Sequence, residues 1–294
     1  MSKVFSPSPL EVMSTSAADA VSAVAASVLA IQTRNARASG FVWRPGWVVT
    51  SEEGLPEDEE AELQLSGGAM VAAKVAGRDP TTDVLLLRCD GVTAPPVVFD
   101  AGPLRAGEMV LAVGAREGLP LVAGGLVSLA GPAWRSLRGG EIDARVELDL
   151  QLQLGAEGGI VLNAKGHAAG MAVFGPRRRV LLIPAATIER VAAQLLSHGR
   201  IPRGYLGLSL QPVRVDAGSV GAMVMSVAEP GPGASAGVRQ GDVIVALNGQ
   251  PIRSVPLLLR ALGPASVGTV LVLSLRRAGE AMEARLTVGE RPAD

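Results

Sequence analysis

Short stretches of apolar or alternating residues, separated by glycine, proline and polar turns, fill the first two thirds of the chain. They lie at 28–31, 38–43, 47–50, 62–65, 70–76, 84–87, 97–99, 109–113, 121–129, 142–154, 160–163, 168–174 and 180–183. Many short strands with turn signals between them are typical of a β-barrel or β-sandwich. The pattern therefore predicts a mainly β body.

Two segments in the same part have helical periodicity instead. Ser16 and Asp19 fit a capping box ahead of apolar residues at helical spacing, and the strand at 28–31 follows. At 184–196 apolar residues recur again at helical spacing, and Gly199 stops the run. We therefore predict one helix before the first strand and another that closes the first domain.

The last third of the chain has its own pattern of strands and short helices. A loop plus strand is predicted at 204–210, a turn with a short helix at 230–237, and strands at 222–227, 241–247, 270–275 and 282–288. Ser254 can cap a helix over 256–262, which Gly263 stops. The change of pattern near 198–203 predicts two domains, 1–200 and 201–294, the second of α+β type.

Composition narrows the class of protein. The 294 residues are 48% hydrophobic and 19% charged, as in a folded, turn-rich β protein. A formal charge of −1 gives no reason to expect nucleic acid or a membrane surface as a partner. A single cysteine excludes a framework of disulfides within the chain.

The N-terminal region decides the expected compartment. Residues 17–31 are apolar enough for the core of a signal peptide, but Asp19 interrupts them and no clear cleavage site follows. We therefore expect no export signal, no transmembrane segment and a cytoplasmic protein. A misassigned start codon would reverse this expectation and make the protein periplasmic.

One glycine-rich turn carries the strongest signal for a functional site. It runs from Gly155 through Ala156 and Glu157 to Gly158 and Gly159, between two apolar stretches. Glycines allow positive φ and close approach of the backbone, so the turn can aim several N–H groups at one point. Such a turn is how oxyanion sites are built, and its oxyanion residues would be 155–157.

This turn resembles the Gly-Asn-Ser-Gly-Gly turn that carries the nucleophile in the HtrA (DegP, Do-like) family of trypsin-like serine proteases. Further matching segments occur in the family's order at 39–41, 48–50, 77–83, 113–114, 124–128 and 155–163. The resemblance implies a trypsin-like double β-barrel over roughly 20–200. It also implies a role in protein quality control and assembly into trimers.

The C-terminal third resembles the PDZ domain of the same family. The resemblance rests on Gly204-Tyr205-Leu206-Gly207, on 235–238 before Gly241-Asp242, and on Asn248-Gly249. A PDZ domain binds an extended C-terminal peptide along a strand edge and holds its carboxylate with backbone N–H groups. The resemblance and the helical spacing imply that the peptide-binding residues are Tyr205, Leu206, Gly207, Leu208, Leu257, Leu258 and Leu262.

The catalytic triad of the family is incomplete in this chain. The family places its histidine three residues after the threonine at 50, which is Glu53 here, and its serine at Glu157. Only the aspartate is matched, by Asp83. A nucleophile needs a base within hydrogen-bond reach, and a carboxylate at 157 cannot replace the serine without different chemistry.

The main hypothesis is therefore a non-catalytic HtrA-like scaffold, a pseudoprotease, that binds peptide or protein C-termini through its PDZ domain. Its partners would include an active paralogue of the family, and no cofactor is expected. The loop at 175–179 is also short for a region that helps to form the specificity pocket in the family.

Two alternatives stay open at this point. The chain could be a serine endopeptidase with an unrecognised nucleophile, although its two histidines, His167 and His198, are expected to face solvent. Alternatively, Glu53, Asp83 and Glu157 could converge and bind a divalent cation, because close carboxylates repel one another. The simpler expectation is that the two glutamates turn toward water.

Overall fold

A computed structural model describes residues 7–55, 59–100, 102–215, 219–260 and 262–292. The chain divides into two compact units, Met1–Arg200 and Ile201–Asp294, which are treated separately below. None of the helices within the described ranges combines the length and the apolar character needed to cross a membrane.

The first unit begins with a closed, antiparallel barrel of six strands. They are β1 (Val28–Gln32), β2 (Arg37–Arg44), β3 (Trp47–Thr50), β4 (Glu60–Gln64), β5 (Met70–Asp79) and β6 (Val84–Arg88). Their order is β1-β2-β3-β6-β5-β4, and β4 pairs back to β1. Fully buried leucines, among them Leu29, Leu63 and Leu87, fill the interior.

A second closed barrel of six strands completes the β part of this unit. It contains β7 (Met109–Arg116) and β8 (Leu119–Gly131), and a small hairpin of β9 (Trp134–Arg135) and β10 (Glu141–Ile142) follows. The remaining strands are β11 (Arg145–Asp149), β12 (Ile160–Leu162), β13 (Ala168–Phe174) and β14 (Val180–Pro184). The order is β11-β14-β13-β12-β7-β8, closed by pairing of β8 with β11. The two barrels confirm the mainly β prediction.

The N-terminal helix is longer than the sequence suggested. Helix α1 spans Pro9–Val24, and its N-cap is Ser8, whose Oγ accepts a hydrogen bond from the N–H of Glu11 at 3.1 Å. The capping box expected at Ser16 is therefore wrong, because that residue lies inside the helix. Proline at the first helical position favours the earlier start, since its missing N–H has no partner there in any helix.

Helix α2 (Ala185–His198) packs one face against the barrels, as the spacing predicted. Ile188, Val191 and Leu195 are buried along that face. The helix ends at Gly199, which has φ +70° and donates its N–H to the carbonyl of Leu195 at 2.8 Å. Glycine adopts this left-handed conformation without the steric cost that a Cβ would add.

Two strand predictions in the first unit were wrong. The stretch 97–99 is not a strand, although the N–H of Val97 donates to the carbonyl of Val42 at 2.8 Å. The stretch 142–154 is not continuous either, since β11 ends at Asp149 and the following residues lead into the glycine-rich turn. In the acidic run 52–62, the residues at 57–58 lie outside the described ranges.

The second unit is a small α+β domain. Its strands are β15 (Gly204–Tyr205), β16 (Leu208–Arg214), β17 (Val220–Val227), β18 (Val243–Leu247), β19 (Gln250–Pro251), β20 (Val270–Arg277), β21 (Glu280–Thr287) and β22 (Gly289–Glu290). Its helices are α3 (Pro232–Ser235) and α4 (Val255–Arg260). The main sheet has the order β16-β17-β18-β20-β21, with β19 beside β18, so β16 lies at its edge.

The core of this domain is apolar and contains one buried ion pair. Leu273 and Leu286 are fully buried at its centre. Asp242, only 1% exposed, receives hydrogen bonds from Nε and an Nη of Arg277, both at 2.8 Å. The pKa of the Asp242 carboxyl group is lowered mainly by this hydrogen-bonded guanidinium. A buried carboxylate is tolerated here because it is fully paired.

Candidate functional site

Ser39 on β2 connects both barrels to the glycine-rich turn. Its Oγ accepts a hydrogen bond from the N–H of Ala115 at 2.9 Å and donates to the carbonyl of Gly155 at 2.6 Å. Its backbone N–H donates to the carbonyl of Glu157 at 2.7 Å, and its carbonyl accepts from the hydroxyl of Thr50 at 2.6 Å. Two of these four hydrogen bonds hold the turn, and the other two attach the fully buried Ser39 to β7 and β3.

The turn has the conformation expected of an oxyanion site. Gly155 and Gly158 have φ of +88° and +83°. The N–H of Ala156 donates to Gln153 within the loop, and that of Gly158 donates to Ala172 on β13. Among the described residues, no protein acceptor receives the N–H of Gly155 or Glu157. These two N–H groups are available to an external anion or carbonyl oxygen.

Asp83 lies beside the turn, but its hydrogen-bond partner is a serine. The hydroxyl of Ser51 reaches Oδ1 and Oδ2 of Asp83 at 2.9 and 3.0 Å. The backbone N–H of Glu53 donates to Oδ1 at 2.8 Å. In a protease triad the aspartate orients a histidine. Here, the fully buried Ser51 takes that role of hydrogen-bond donor.

The side chain of Glu53 turns toward solvent and toward an arginine. It is 47% exposed, and its Oε1 lies 3.1 Å from an Nη of Arg138. The same guanidinium lies 3.6 Å from Oε2 of Glu52 and donates to the carbonyl of Pro80 at 3.1 Å. The loop that joins β9 to β10 therefore binds the segment that would hold the catalytic histidine in a protease.

Glu157 turns inward instead, against β13. Its Oε1 accepts a hydrogen bond from the backbone N–H of Phe174 at 3.0 Å. Burial raises the pKa of the Glu157 carboxyl group, and the nearby charge of Glu53 adds to the rise, while the N–H of Phe174 opposes it. The carboxyl group of Glu157 thus accepts a hydrogen bond from the backbone of β13. The expectation that this side chain turns toward water is wrong.

The pKa of Asp83 is the most strongly displaced in the site. Desolvation of its carboxyl group raises the pKa from 3.8 to about 7, despite the hydrogen bonds from Glu53 and Ser51, which lower it. The negative charges of Glu157 and Glu53 raise it further, which shows that the three acids interact. The charge of an ionised Asp83 is therefore only partly compensated.

Both histidines of the chain contact residues outside this site. His167 lies 3.7 Å from Asp100, and His198 contacts its neighbour Ser197 at 2.7 Å on the exposed end of α2. The hydroxyl of Ser197 also donates to the carbonyl of Ala193, as a serine in a helix commonly does. Neither histidine contacts Ser51, whose hydroxyl donates to Asp83.

The three acids do not form a metal site. Within the described ranges, no group of three or more His, Cys, Asp or Glu side chains is arranged to hold a metal ion. The directions of the side chains explain this result, since Glu53 faces Arg138 and Glu157 faces the N–H of Phe174. Asp83 is left with Ser51, so the oxygens do not converge on one point.

A cavity of about 890 Å³ opens beside Glu53 and Asp83. The β9–β10 hairpin forms one wall, and the hydroxyl of Ser136 attaches this hairpin to the carbonyl of Thr81 at 2.6 Å. The loop after β13 forms the opposite wall. Cavities of this size are typical of sites for small molecules.

The loop before β16 in the second unit contains the residues predicted to bind a peptide carboxylate. The carbonyl of Leu206 accepts from the N–H of Gly233, and that of Gly207 accepts from the N–H of Ala228, each at 2.8 Å. The N–H groups of Leu206 and Gly207 have no acceptor within the described part of the chain. Tyr205 belongs to β15, and Leu208 begins the edge strand.

The helix beside this edge strand is shorter than expected. Helix α4 ends at Arg260, so Leu262 follows it, and Ala261 lies outside the described residues. Leu258 and Leu262 are buried in the domain core rather than facing a groove. Leu257 is 50% exposed, which leaves it as the candidate wall residue with a free surface.

Sequence reasoning missed two residues that shape the site. Ser51 was not recognised as the partner of Asp83. Its position two residues before Glu53, where the family has its histidine, could have indicated this hydrogen bond. Arg138 was missed because it lies 85 positions from Glu53, in a hairpin that the pattern of apolar residues did not predict. Pairing over such a distance depends on the tertiary fold.

Comparison with known families agrees with this architecture. Residues 38–171 match the family described as "Trypsin-like peptidase domain". Residues 204–288 match the family described as "PDZ domain". The two matches cover the double barrel and the α+β domain, respectively.

Curated relatives share the same arrangement. A protein of Brucella suis named "Probable periplasmic serine endoprotease DegP-like" is 32% identical over 280 residues, which cover 88% of this chain and 53% of the relative. A protein of the same name from Pseudomonas putida is 33% identical over 272 residues, covering 87% and 56%. The chain thus spans about half the length of the curated relatives it matches.

Solved structures show the same fold. The serine endoprotease from Yersinia pestis superimposes with a TM-score of 0.71 at 25% identity, covering 94% of this chain and 98% of the other. A structure described as "HtrA-type protease AlgW with decapeptide" gives a TM-score of 0.70 at 20% identity, with coverages of 94% and 99%. At 20% identity, the similarity to AlgW is evidence for the fold alone.

These relatives correct the expected compartment. The Brucella and Pseudomonas proteins are both named as periplasmic. The prediction of a cytoplasmic protein is therefore wrong. It depended on the absence of a recognisable export signal near the first residue, and that absence is weak evidence.

The packing of the turn leads to a first testable prediction. A Cβ at Gly158 would lie 2.3 Å from the carbonyl oxygen of Ser39 and 2.5 Å from Oγ1 of Thr50, whereas one at Gly155 would have nothing within 4 Å. Both glycines have positive φ, so alanine has a similar backbone cost of about 1–2 kcal/mol at either position. We expect Gly158→Ala to lower the free energy of unfolding by at least about 2 kcal/mol more than Gly155→Ala.

Urea unfolding of the two variants and the wild type checks this prediction. Gly155→Ala is the matched control, because it changes the same residue type in the same turn. Equal losses of stability in both variants would contradict the close packing of Gly158 against the first barrel.

The displaced pKa of Asp83 leads to a second prediction, which concerns pH. A folded-state pKa near 7 means that the folded protein holds a proton that the unfolded chain releases near pH 4. Stability from this group is therefore fully present at low pH and falls as pH rises from about 4 to 7. Asp83→Asn removes the ionisation while keeping an acceptor for Ser51. We expect the variant to gain on the order of 2 kcal/mol relative to wild type between pH 5 and pH 8.

Urea unfolding of both proteins at pH 5, 6.5 and 8 measures this gain. Titrating groups that do not interact with Asp83 contribute equally to the two proteins and cancel in the difference. A difference that does not change with pH would mean that Asp83 titrates at its ordinary pKa.

Proposed function

We propose that this chain, a member of the HtrA/DegP family of trypsin-like peptidases with a PDZ domain, is a non-catalytic scaffold that binds peptide or protein C-termini. The observation that carries the proposal is the hydrogen bond from Ser51 to Asp83. In an active site of this family, the aspartate would hold a histidine. Here the hydroxyl of Ser51 already lies on both carboxylate oxygens of Asp83. Glu53, at the position of the histidine, points to Arg138.

The position of Glu157 supports the same proposal. Its carboxylate lies on the N–H of Phe174, at the edge of β13 next to the nucleophile position. A carboxylate there lacks a proton to give up as a serine hydroxyl does, and the two histidines contact Asp100 and Ser197 instead of this position. In this proposal the glycine-rich turn is present, but the serine and the histidine that would use it in acyl transfer are replaced by Glu157 and Glu53.

The PDZ domain is the proposed binding site. The N–H groups of Leu206 and Gly207 can donate hydrogen bonds to a terminal carboxylate, and β16 offers an edge to an extended peptide. Leu257 beside this edge favours an apolar terminal residue on the ligand. One structural neighbour, AlgW, has been solved with a decapeptide, which is compatible with peptide binding by this fold.

Assembly is part of the proposal. Family resemblance supports a homo-oligomer, expected to be a trimer, and an active paralogue as a physiological partner. The chain would then regulate or recruit a protease for protein quality control without cleaving substrates itself.

Endopeptidase activity is the second candidate function. The relatives from Brucella and Pseudomonas are named serine endoproteases, and the N–H groups of Gly155 and Glu157 are free to act as an oxyanion site. Endopeptidase activity would require a nucleophile other than Glu157. The two candidates differ in a single observable, proteolysis by the purified chain.

Casein cleavage separates the two functions. We expect no cleavage by the wild type above that of a Glu157→Ala control. We further expect the triple variant Ser51→Ala/Glu53→His/Glu157→Ser to cleave casein faster than the double variant that retains Ser51. The reason is that the Ser51 hydroxyl competes with an introduced histidine for Asp83.

Wild-type cleavage that co-purifies with the protein and is lost on substitution of one residue would establish the endopeptidase instead. Equal rates for the triple and double variants would contradict the role given to Ser51. Thermal unfolding of each variant shows whether a loss of activity reflects a loss of fold.

Peptide binding is tested on helix α4 with a matched pair of leucines. Leu257 and Leu259 are both 50% exposed but lie on different sides of the helix. We expect Leu257→Asp to weaken the best binder from a C-terminal peptide array by about tenfold or more, because it places a charge in the apolar wall. Leu259→Asp should change affinity by less than about threefold.

Fluorescence anisotropy with a labelled peptide measures both affinities. Amidation of the peptide C-terminus should abolish binding, since the carboxylate is held by backbone N–H groups. An array without C-terminal binders, or equal effects of the two substitutions, would contradict the proposed groove.

A further inference from the structure

The cavity beside Glu53 and Asp83 combines an apolar interior with a surplus of arginines. Its apolar walls include Trp134, Leu137, Phe174 and Ile183. The charged residues that line it are Glu53, Asp83, Arg135, Arg138, Arg145, Glu147, Arg177 and Arg179. Five guanidinium groups thus meet three carboxyl groups, one of which, Asp83, has a pKa raised to about 7.

Most of these charges are already paired. Glu147 binds Arg145 at 2.6 Å and Arg179 at 3.1 Å. Arg138 binds Glu53 at 3.1 Å. Arg177 is different, because it forms no ion pair or hydrogen bond with any described residue although it lines the cavity. Its guanidinium is therefore available to an anion from outside.

The backbone next to the cavity is not available to a peptide. In an extended-peptide site, the edge of a strand must offer free N–H groups. Here the N–H of Phe174 is taken by the carboxylate of Glu157, and the N–H of Gly175 donates to the carbonyl of Arg179 at 2.7 Å. The charged donors at this cavity are guanidinium groups, which recognise carboxylates by charge-assisted hydrogen bonds.

We propose that this cavity binds a small organic carboxylate with an apolar body, with the carboxylate on Arg177 and the apolar part against Trp134 and Phe174. The volume of about 890 Å³ is within the range of small-molecule sites. The site is independent of peptide binding by the PDZ domain, so either proposal can fail without the other.

Octanoate and its neutral counterpart octanamide are the probes for this site. Isothermal titration of the full chain should show binding of octanoate at least about tenfold tighter than that of octanamide, because only octanoate offers a carboxylate. Octanoate should also change the tryptophan emission, and Trp134→Phe should remove that change while Trp43 and Trp47 remain.

Arg177 and Arg178 provide a matched pair of substitutions. They are adjacent, have φ of +60° and +58°, and only Arg177 lines the cavity, while Arg178 lies over the ring of Phe174. Arg177→Gln should weaken octanoate binding by about tenfold and leave octanamide unchanged. Arg178→Gln should change either affinity by less than about threefold.

Several results would overturn the proposal. They are the absence of octanoate binding, equal affinity for octanamide, equal effects of the two arginine substitutions, or tighter binding of an acetylated acidic hexapeptide. Octanoate affinity that falls in Leu257→Asp would place the carboxylate in the PDZ domain instead. Thermal unfolding of every variant checks that the fold is intact.

Discussion

The hydrogen bonds of Ser39 are the interaction on which the first unit depends. This buried residue contacts both barrels and the glycine-rich turn through its hydroxyl and its backbone. Because two of these bonds are accepted by main-chain carbonyls of the turn, at Gly155 and Glu157, they do not depend on the side chain at 157. The main-chain shape of the turn is therefore compatible with a glutamate at this position.

The acids in this centre show how the replacement is accommodated. Burying a carboxyl group costs free energy unless the group is paired, and each of the three carboxyl groups has different partners. Asp83 accepts hydrogen bonds from Ser51 and Glu53, Glu157 accepts from a backbone N–H, and Glu53 binds Arg138 near the surface. The pKa of Asp83 near 7 shows that the compensation is partial.

Much of the fold could be predicted from the sequence because its signals are local. Alternating apolar stretches mark strands, and the glycine at 199 marks the end of α2 with the φ of +70° that the pattern requires. The start of α1 was missed because two plausible caps, Ser8 and Ser16, compete, and the proline after Ser8 decides between them. The β9–β10 hairpin was missed because its strands have two residues each and carry almost no periodicity.

The site was harder to predict than the fold. Motif spacing predicted that Glu53, Asp83 and Glu157 lie at the triad positions of the family, and in the structure the charge of Glu53 raises the pKa of both other acids. Spacing could not give the direction of a long side chain, which depends on donors such as Arg138 and the N–H of Phe174 that lie elsewhere in the chain. For the same reason, Leu258 and Leu262 were assigned to the groove although they belong to the core.

The most direct test of the central claim is labelling of the purified wild-type chain with a fluorophosphonate, which reacts with activated serines. Intact-protein mass spectrometry then shows whether a covalent adduct has formed. The account predicts an unmodified mass, because Ser51, which donates to Asp83, is not hydrogen-bonded to a histidine. A single adduct that peptide mapping places on one serine, and that a substitution of this serine removes, would contradict it and identify the chain as an enzyme.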